Sequence, residues 1–230
     1  MTTRVEDALG NAKQPGRFDA FVRVIKEWLE NLGINSRIFV EMMEDETLSM
    51  PVRTMAAGVL LYLRSPIDLI PDKLKLLGLV DDAIVMIVGL SIIVPLLPDD
   101  RLAYYAQKYK AVRTISDSVE TLRSALGMLW EKLVEFVGKL RNKTYRGKTT
   151  EEVVQSPALR EELFDDTMSF VAGLDLQPDT LPKALPSPEK VMGLLASGLE
   201  EEEESKDSEN TISDRSRSAL KRMLPGNKET

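Results

Sequence analysis

The sequence predicts an all-α protein: a helical hairpin packed with an N-terminal helix pair and one long helix, followed by a partly disordered tail. Three observations carry this expectation. Apolar side chains recur at helical spacing through most of the first 140 residues. Two apolar runs, Met55 to Leu63 and Ala83 to Leu97, flank an acidic corner marked by prolines. Beyond Asp175, prolines and glutamate runs leave too little periodic apolar sequence for a second core.

Residues 1–15 are polar and read as a flexible N-terminus. Phe18, Phe21, Val22, Ile25, Trp28, Leu29 and Leu32 then fall on one helical stripe, with Gly33 placed for a C-terminal cap. Ser36 is expected to cap a second, short helix carrying Ile38, Phe39, Met42 and Met43. After the acidic turn Glu44-Asp45-Glu46, Thr47 or Ser49 starts the helix that runs to Arg64. At the corner, Ser65, Pro66 and Asp68 fit a capping box with proline at the first helical position, and Pro71 keeps that turn short. Asp72 and Gly78 continue the corner. Asp81 or Asp82 is expected to cap the next helix, which should end near Val94 because Pro95 restricts the residue before it.

Pro98-Asp99-Asp100 opens what reads as the longest helix, 100–140. Tyr105, Tyr109, Val112, Ile115, Val119, Leu122, Leu126, Leu129, Leu133, Phe136 and Leu140 form a heptad-like, coiled-coil-type seam with one shortened step near Val112. A straight helix of that length would extend roughly 60 Å, so part of it should project, bend or pack on another chain. Leu122, Leu126, Leu129, Leu133 and Phe136 are the candidate interaction residues, for a protein partner or a second copy. Residues 141–174 read as a basic loop and a short helix, and 175–230 as a proline-rich, acidic, largely disordered tail with short helices. One of those helices carries Val191, Leu194, Leu195 and Leu199 behind Ser187-Pro188-Glu189 and could dock its apolar side into a groove. The divisions are therefore 1–15, a helical domain over 16–140, 141–174 and 175–230.

Composition narrows the chemistry. The chain has no cysteine and no histidine, so disulfides, thiolate nucleophiles, zinc sites of sulfur or imidazole and histidine-based triads are excluded. Its 43% hydrophobic content supports a buried core. The net charge of −7 is uneven: residues 1–100 hold 10 basic and 15 acidic side chains, 101–150 hold 11 and 4, and 151–230 hold 9 and 18. Only the middle block could favour a polyanion, so nucleic acid is not an expected partner. The N-terminus lacks an apolar run, which points to the cytoplasm, with the cytoplasmic face of a membrane as the alternative.

The run Leu61-Tyr62-Leu63-Arg64-Ser65-Pro66-Ile67-Asp68-Leu69-Ile70-Pro71-Asp72, followed by Gly78-Leu79-Val80-Asp81-Asp82, resembles the YkvA-like bacterial family, which is defined by a short domain of unknown function. The resemblance covers about residues 45–98. It implies a helical hairpin, often membrane-associated, with no established activity. Members often carry an apolar, proline-containing link before the aspartate pair, where this chain has Lys73-Leu74-Lys75-Leu76-Leu77. Relatives that add a RING finger have no counterpart here, since that module needs cysteine and histidine.

Two further questions arise from the residues themselves. Asp68, Asp72, Asp81 and Asp82 are the candidate ligands for a divalent cation such as Mg²⁺ or Ca²⁺, or for acid–base chemistry. Each also has a local use as a cap or turn residue, and that reading is preferred, with no cofactor expected. The apolar run Ala83–Leu97 is short for a membrane span, is interrupted by Pro95 and has acidic pairs at both ends. The basic stretch Lys132–Lys148 could support a shallow association with an acidic lipid surface. The expected function is that of a non-enzymatic interaction or scaffold protein, with possible peripheral membrane association. The alternatives are a metal-dependent hydrolase or cation-binding protein, and an integral membrane accessory protein.

Overall fold

The computed structural model describes residues 15–64, 69–70, 78–174, 187 and 189–202. The regular elements are α1 (Pro15–Glu30), α2 (Leu32–Glu44), α3 (Met50–Leu63), α4 (Gly78–Ile93), α5 (Asp99–Lys108), α6 (Lys110–Arg113), α7 (Ile115–Leu126), α8 (Leu129–Lys139), α9 (Thr150–Gln155) and α10 (Pro157–Gly173). Single 3-10 turns follow α4 (Val94–Leu96) and α8 (Leu140–Asn142), and a last helix, α11, spans 189–202. Two two-residue strands, β1 (Thr144–Tyr145) and β2 (Lys148–Thr149), are the only strands among the described residues, so the fold is all-α.

Helix α4 is the axis of the molecule. A helix that is apolar on every side has no solvent face and must be surrounded. Accordingly α3, α1, α7 and α8 all pack on it, and α2 touches it as well. Every residue from Leu79 to Leu90 is buried. Gly89 faces Val59 of α3, which lets the two arms of the hairpin approach closely. The 3-10 turn over Leu140–Asn142 crosses α3 at Gly58, where an added Cβ would lie 2.5 Å from the Leu140 carbonyl oxygen.

The N-terminal pair differs from expectation in its joint. Only Asn31 separates α1 from α2, so Gly33 lies inside a helix rather than capping one. Ser36 is likewise internal, and its hydroxyl donates to the Leu32 carbonyl at 2.8 Å, the usual fate of a buried helical serine. The apolar stripe is continuous through the joint, which allows α2 to start without a cap. Asp45 closes the following turn, its Oδ1 accepting from the Thr47 amide at 3.0 Å, and Ser49 precedes α3 as its N-cap residue.

The single long helix expected over 100–140 is four helices instead. The backbone leaves helical geometry at Tyr109 (φ −120°, ψ 122°), at Thr114 (φ −103°, ψ 10°) and at Gly127 (φ 56°, ψ −124°). The last of these is a conformation that side chains rarely adopt, so glycine sets that bend. Each short helix still turns its apolar side inward: Tyr105, Tyr109, Val112, Ile115, Leu122, Leu126, Leu133, Phe136 and Leu140 are buried, and Val119 and Leu129 are partly so. The seam is therefore wrapped around α4 and α1 rather than extended as a coiled coil.

Residues 141–174 are also more ordered than a loop. Arg146 and Gly147, with φ of 49° and 77°, form the tight turn between β1 and β2. Thr149 and Glu152 then make a full capping box for α9, and the Ser156 hydroxyl accepts from the Leu159 amide ahead of Pro157 at the start of α10. In the tail, Glu200 to Glu202 belong to α11, while residues 203–230 lie outside the described residues, as do 1–14.

Candidate functional site

The corner between α3 and α4 is built around one tyrosine. Apart from Tyr62, the second half of α3 from Met55 to Leu63 is aliphatic or glycine, and a buried phenol must find polar partners. Tyr62 is fully buried, and its hydroxyl donates to Asp81 Oδ2 at 2.6 Å while accepting from the Leu69 amide at 3.0 Å. Asp81, also fully buried, takes a second hydrogen bond at Oδ2 from the Ile70 amide at 3.2 Å, and its Oδ1 accepts from the Asp82 amide at 3.1 Å. One phenol and one carboxyl group thus fasten the end of α3, the returning strand of backbone at Leu69–Ile70 and the start of α4 to each other. Burial first, and then the charge and hydrogen bond of Asp81, push the Tyr62 phenol well above its ordinary range. It is a hydrogen-bonding group at neutral pH and not a base.

Aromatic and cationic groups surround the clasp. The Phe136 ring meets Tyr62 edge-on at 5.8 Å between centroids, and Lys143 Nζ lies 5.6 Å from the Tyr62 ring. Next to it is a cavity of about 290 Å³ lined by Phe136, Lys139, Leu140, Asn142, Lys143 and Glu202. Helix α11 borders this cavity through Glu202 and crosses the corner at Gly198, where an added Cβ would fall on the Leu69 carbonyl.

The residues singled out from sequence divide as follows. Ser65, Pro66, Asp68, Pro71 and Asp72 lie outside the described residues. Gly78 opens α4, so Asp81 and Asp82 sit within the first turns of that helix rather than at its cap. The reason is the clasp: Asp81 Oδ2 reaches back toward α3 and Ile70, and only Oδ1 stays on its own helix, at the Asp82 amide. Among the described residues no group of three or more acidic, histidine or cysteine side chains is arranged to hold a metal ion. Leu122, Leu126, Leu133 and Phe136 are buried in the chain's own core and Leu129 is half-buried, so the seam is already covered.

Three of the six cations in the basic stretch 132–148 are seen in ion pairs. Lys139 pairs with Glu135 at 2.5 Å, Arg146 with Glu162 at 2.6 Å and Asp166 at 3.3 Å, and Lys148 with Glu152 at 3.2 Å. These pairs are exposed and individually weak, but they offset the charge that an anionic surface would read. Tyrosine–carboxyl contacts recur elsewhere. Tyr105 donates to Asp45 at 3.1 Å, Tyr109 to Glu41 at 2.6 Å and Tyr145 to Asp166 at 2.6 Å. Burial, then the hydrogen bond and charge of the acid, push Tyr109 and Tyr145 each up to about 12, and Tyr105 is raised further still. At Asp45, burial alone would raise the carboxyl, but the hydrogen bonds from Thr47 and Tyr105 and the charge of Arg101 outweigh it and leave it lowered.

The two arms of the hairpin and the clasp between them coincide with the part of the chain that compares with known sequences. Residues 52–88 match the family described as Protein of unknown function (DUF1232). No curated relative and no solved structure matches the chain. The DUF1232 segment begins in the first turn of α3 and ends inside α4, and it contains Gly58, Tyr62, Leu69, Ile70 and Asp81. Tyr62 carries the interaction that sequence reading passed over. It stood in the recognised run without a role, and the signal that marks it is a lone hydroxyl in an apolar helix.

Proposed function

We propose that this chain is a non-enzymatic helical interaction protein, in which the DUF1232 hairpin is a rigid core that positions binding surfaces on the surrounding helices. The observation that supports it most is Asp81. Its two oxygens are held by Tyr62, Ile70 and Asp82 inside the protein, an arrangement in which this carboxyl group serves architecture. The raised phenol of Tyr62 fits the same role. Titration calorimetry of the full chain with Mg²⁺, Ca²⁺ and Mn²⁺ tests this reading. It predicts no saturable heat, and tight binding abolished by Asp81→Asn would replace it with the cation-dependent alternative.

A second reading is a membrane accessory protein. Residues Leu79–Leu96 have a mean hydropathy of 2.2 over 18 residues, enough by length and composition to cross a bilayer. That span is 72% buried within the molecule, and insertion would require α4 to leave its packing partners. Carbonate washing of native membranes separates the cases: a peripheral or soluble chain is released, and an inserted one is retained.

A further inference from the structure

Helix α11 is held by packing more than by its own sequence. Its apolar positions Val191, Met192, Leu195 and Leu199 are buried along one side, with Leu194 partly covered. Taken alone it is a poor helix. Gly193 and Gly198 interrupt it, and Glu200, Glu201 and Glu202 crowd its C-terminal end, where the helix dipole disfavours negative charge. A short helix with those features is marginal in water without a surface to lie on. The surface it uses is the DUF1232 corner. Backbone meets backbone at Gly198, where an added Cβ would fall on the Leu69 carbonyl oxygen and lie 2.8 Å from its carbon. The acidic end reaches the cavity lined by Lys139 and Lys143 through Glu202. Twelve residues, 175–186, including Pro178, Pro182 and Pro186, lie between Leu174, which follows α10, and Ser187. Fully extended, a chain of that length reaches about 40 Å.

We infer that α11 is a detachable cover that occupies, in cis, a helix-docking groove over the DUF1232 corner. The groove selects an amphipathic helix with glycine at the crossing point, apolar residues three before and one after it, and an acidic C-terminal end. When α11 lifts, a partner helix of that chemistry can take its place over Leu69, Ile70 and the lysine-lined cavity. The inference rests on the reading of this chain as an interaction protein, and it adds the site, the chemistry of the partner and the element that controls access. In cis, a short tether gives α11 an effective concentration that an outside helix cannot easily match, so the resting chain is closed.

Two alanine substitutions in the same helix provide the test. Gly198→Ala places a methyl group on the Leu69 carbonyl, whereas Gly193→Ala meets nothing within 4 Å. Hydrogen exchange of the full-length chain is followed in 189–202 and, as the reference, in 83–90 of α4. Gly198→Ala is expected to speed exchange across 189–202 at least about tenfold with 83–90 unchanged, while Gly193→Ala leaves both as they are or slows 189–202. A fluorescent peptide of residues 187–204, added in trans, is expected to bind the Gly198→Ala chain and not the wild type. The same peptide carrying Gly198→Ala should bind neither. The inference is overturned if the two variants exchange alike, if Gly198→Ala also exposes 83–90 and so makes α11 part of the core, or if the peptide fails to bind an opened chain. The exchange and peptide results do not depend on the cation calorimetry, so either idea can fall without the other.

Discussion

Replacing Tyr62 with phenylalanine isolates what the clasp contributes. The ring stays, so its edge contact with Phe136 at 5.8 Å and its packing in α3 are retained, and only one oxygen is lost. That oxygen makes two hydrogen bonds at once, to Asp81 at 2.6 Å and from the Leu69 amide at 3.0 Å. A bond to a carboxyl group of this kind is worth about 1.5–3 kcal/mol, and a buried amide left without an acceptor costs about 1–3 kcal/mol. Leu69 is only 2% exposed, so water is poorly placed to substitute. The expected loss is therefore about 3–5 kcal/mol. Urea denaturation at neutral pH reads it as a fall in midpoint of about 1–2 M at an unchanged slope near 3 kcal/mol/M. Asp81→Asn completes a double-mutant cycle, in which the two changes should be strongly non-additive because they share one bond. A loss below about 1 kcal/mol for Tyr62→Phe, or strict additivity in the cycle, would refute the claim that this bond fastens the corner.

Other outcomes follow from the same geometry. Tyr62, Tyr105, Tyr109 and Tyr145 keep their protons in the fold beyond the ordinary phenol range, while in the unfolded chain they ionise near pH 10. Above pH 10 the folded state binds more protons, so stability present below that pH is lost as pH rises. Tyr62 alone should contribute a slope of about 1.4 kcal/mol per pH unit, and a flat stability between pH 9 and 11.5 would contradict it. Gly58→Ala forces a Cβ to within 2.5 Å of Leu140 O and 2.9 Å of Arg141 N, both backbone, and should cost about 1–3 kcal/mol or more. The control Gly138→Ala, which meets nothing within 4 Å, should be neutral or slightly stabilising in the same thermal melt. Leu133→Asp buries a carboxylate at a position with no exposure and should unfold the chain rather than dissociate a dimer. A well-folded Leu133→Asp chain of lower mass by light scattering would restore the seam as an interface.

Much of the architecture was legible from apolar spacing because burial and periodicity are the same information in a helix. The stripe Phe18–Leu32, the two arms of the hairpin and the inward side of 105–140 were all readable for that reason. Breaks were less so. A seam stays nearly in phase when short helices each face one core, so spacing alone did not separate one rod from four helices; the local cues are the shortened step near Val112, which lies between the breaks at Tyr109 and Thr114, and Gly127. The turn at Arg146-Gly147 and the box Thr149–Glu152 did carry a signal, in a glycine beside a charged residue and in the Thr-x-x-Glu spacing, masked by the basic character of the stretch. At the corner, aspartates and prolines pointed to a structural joint, but its centre is the pairing of Tyr62 with Asp81, nineteen residues apart. Sequence separation of that size holds no register. Nor does any local pattern reveal that Gly198 lies on Leu69, since close approach of two backbones is decided in space.

The amides of Leu69 and Ile70 offer the most direct view of the corner. Both lie outside any helix, and both donate to side chains, one to Tyr62 and one to Asp81. Residue-resolved exchange by NMR should find them protected nearly as strongly as the amides of α4, because they can open only when the joint itself does. Exchange within about tenfold of the free-peptide rate, with α4 still protected, would mean that no such joint exists.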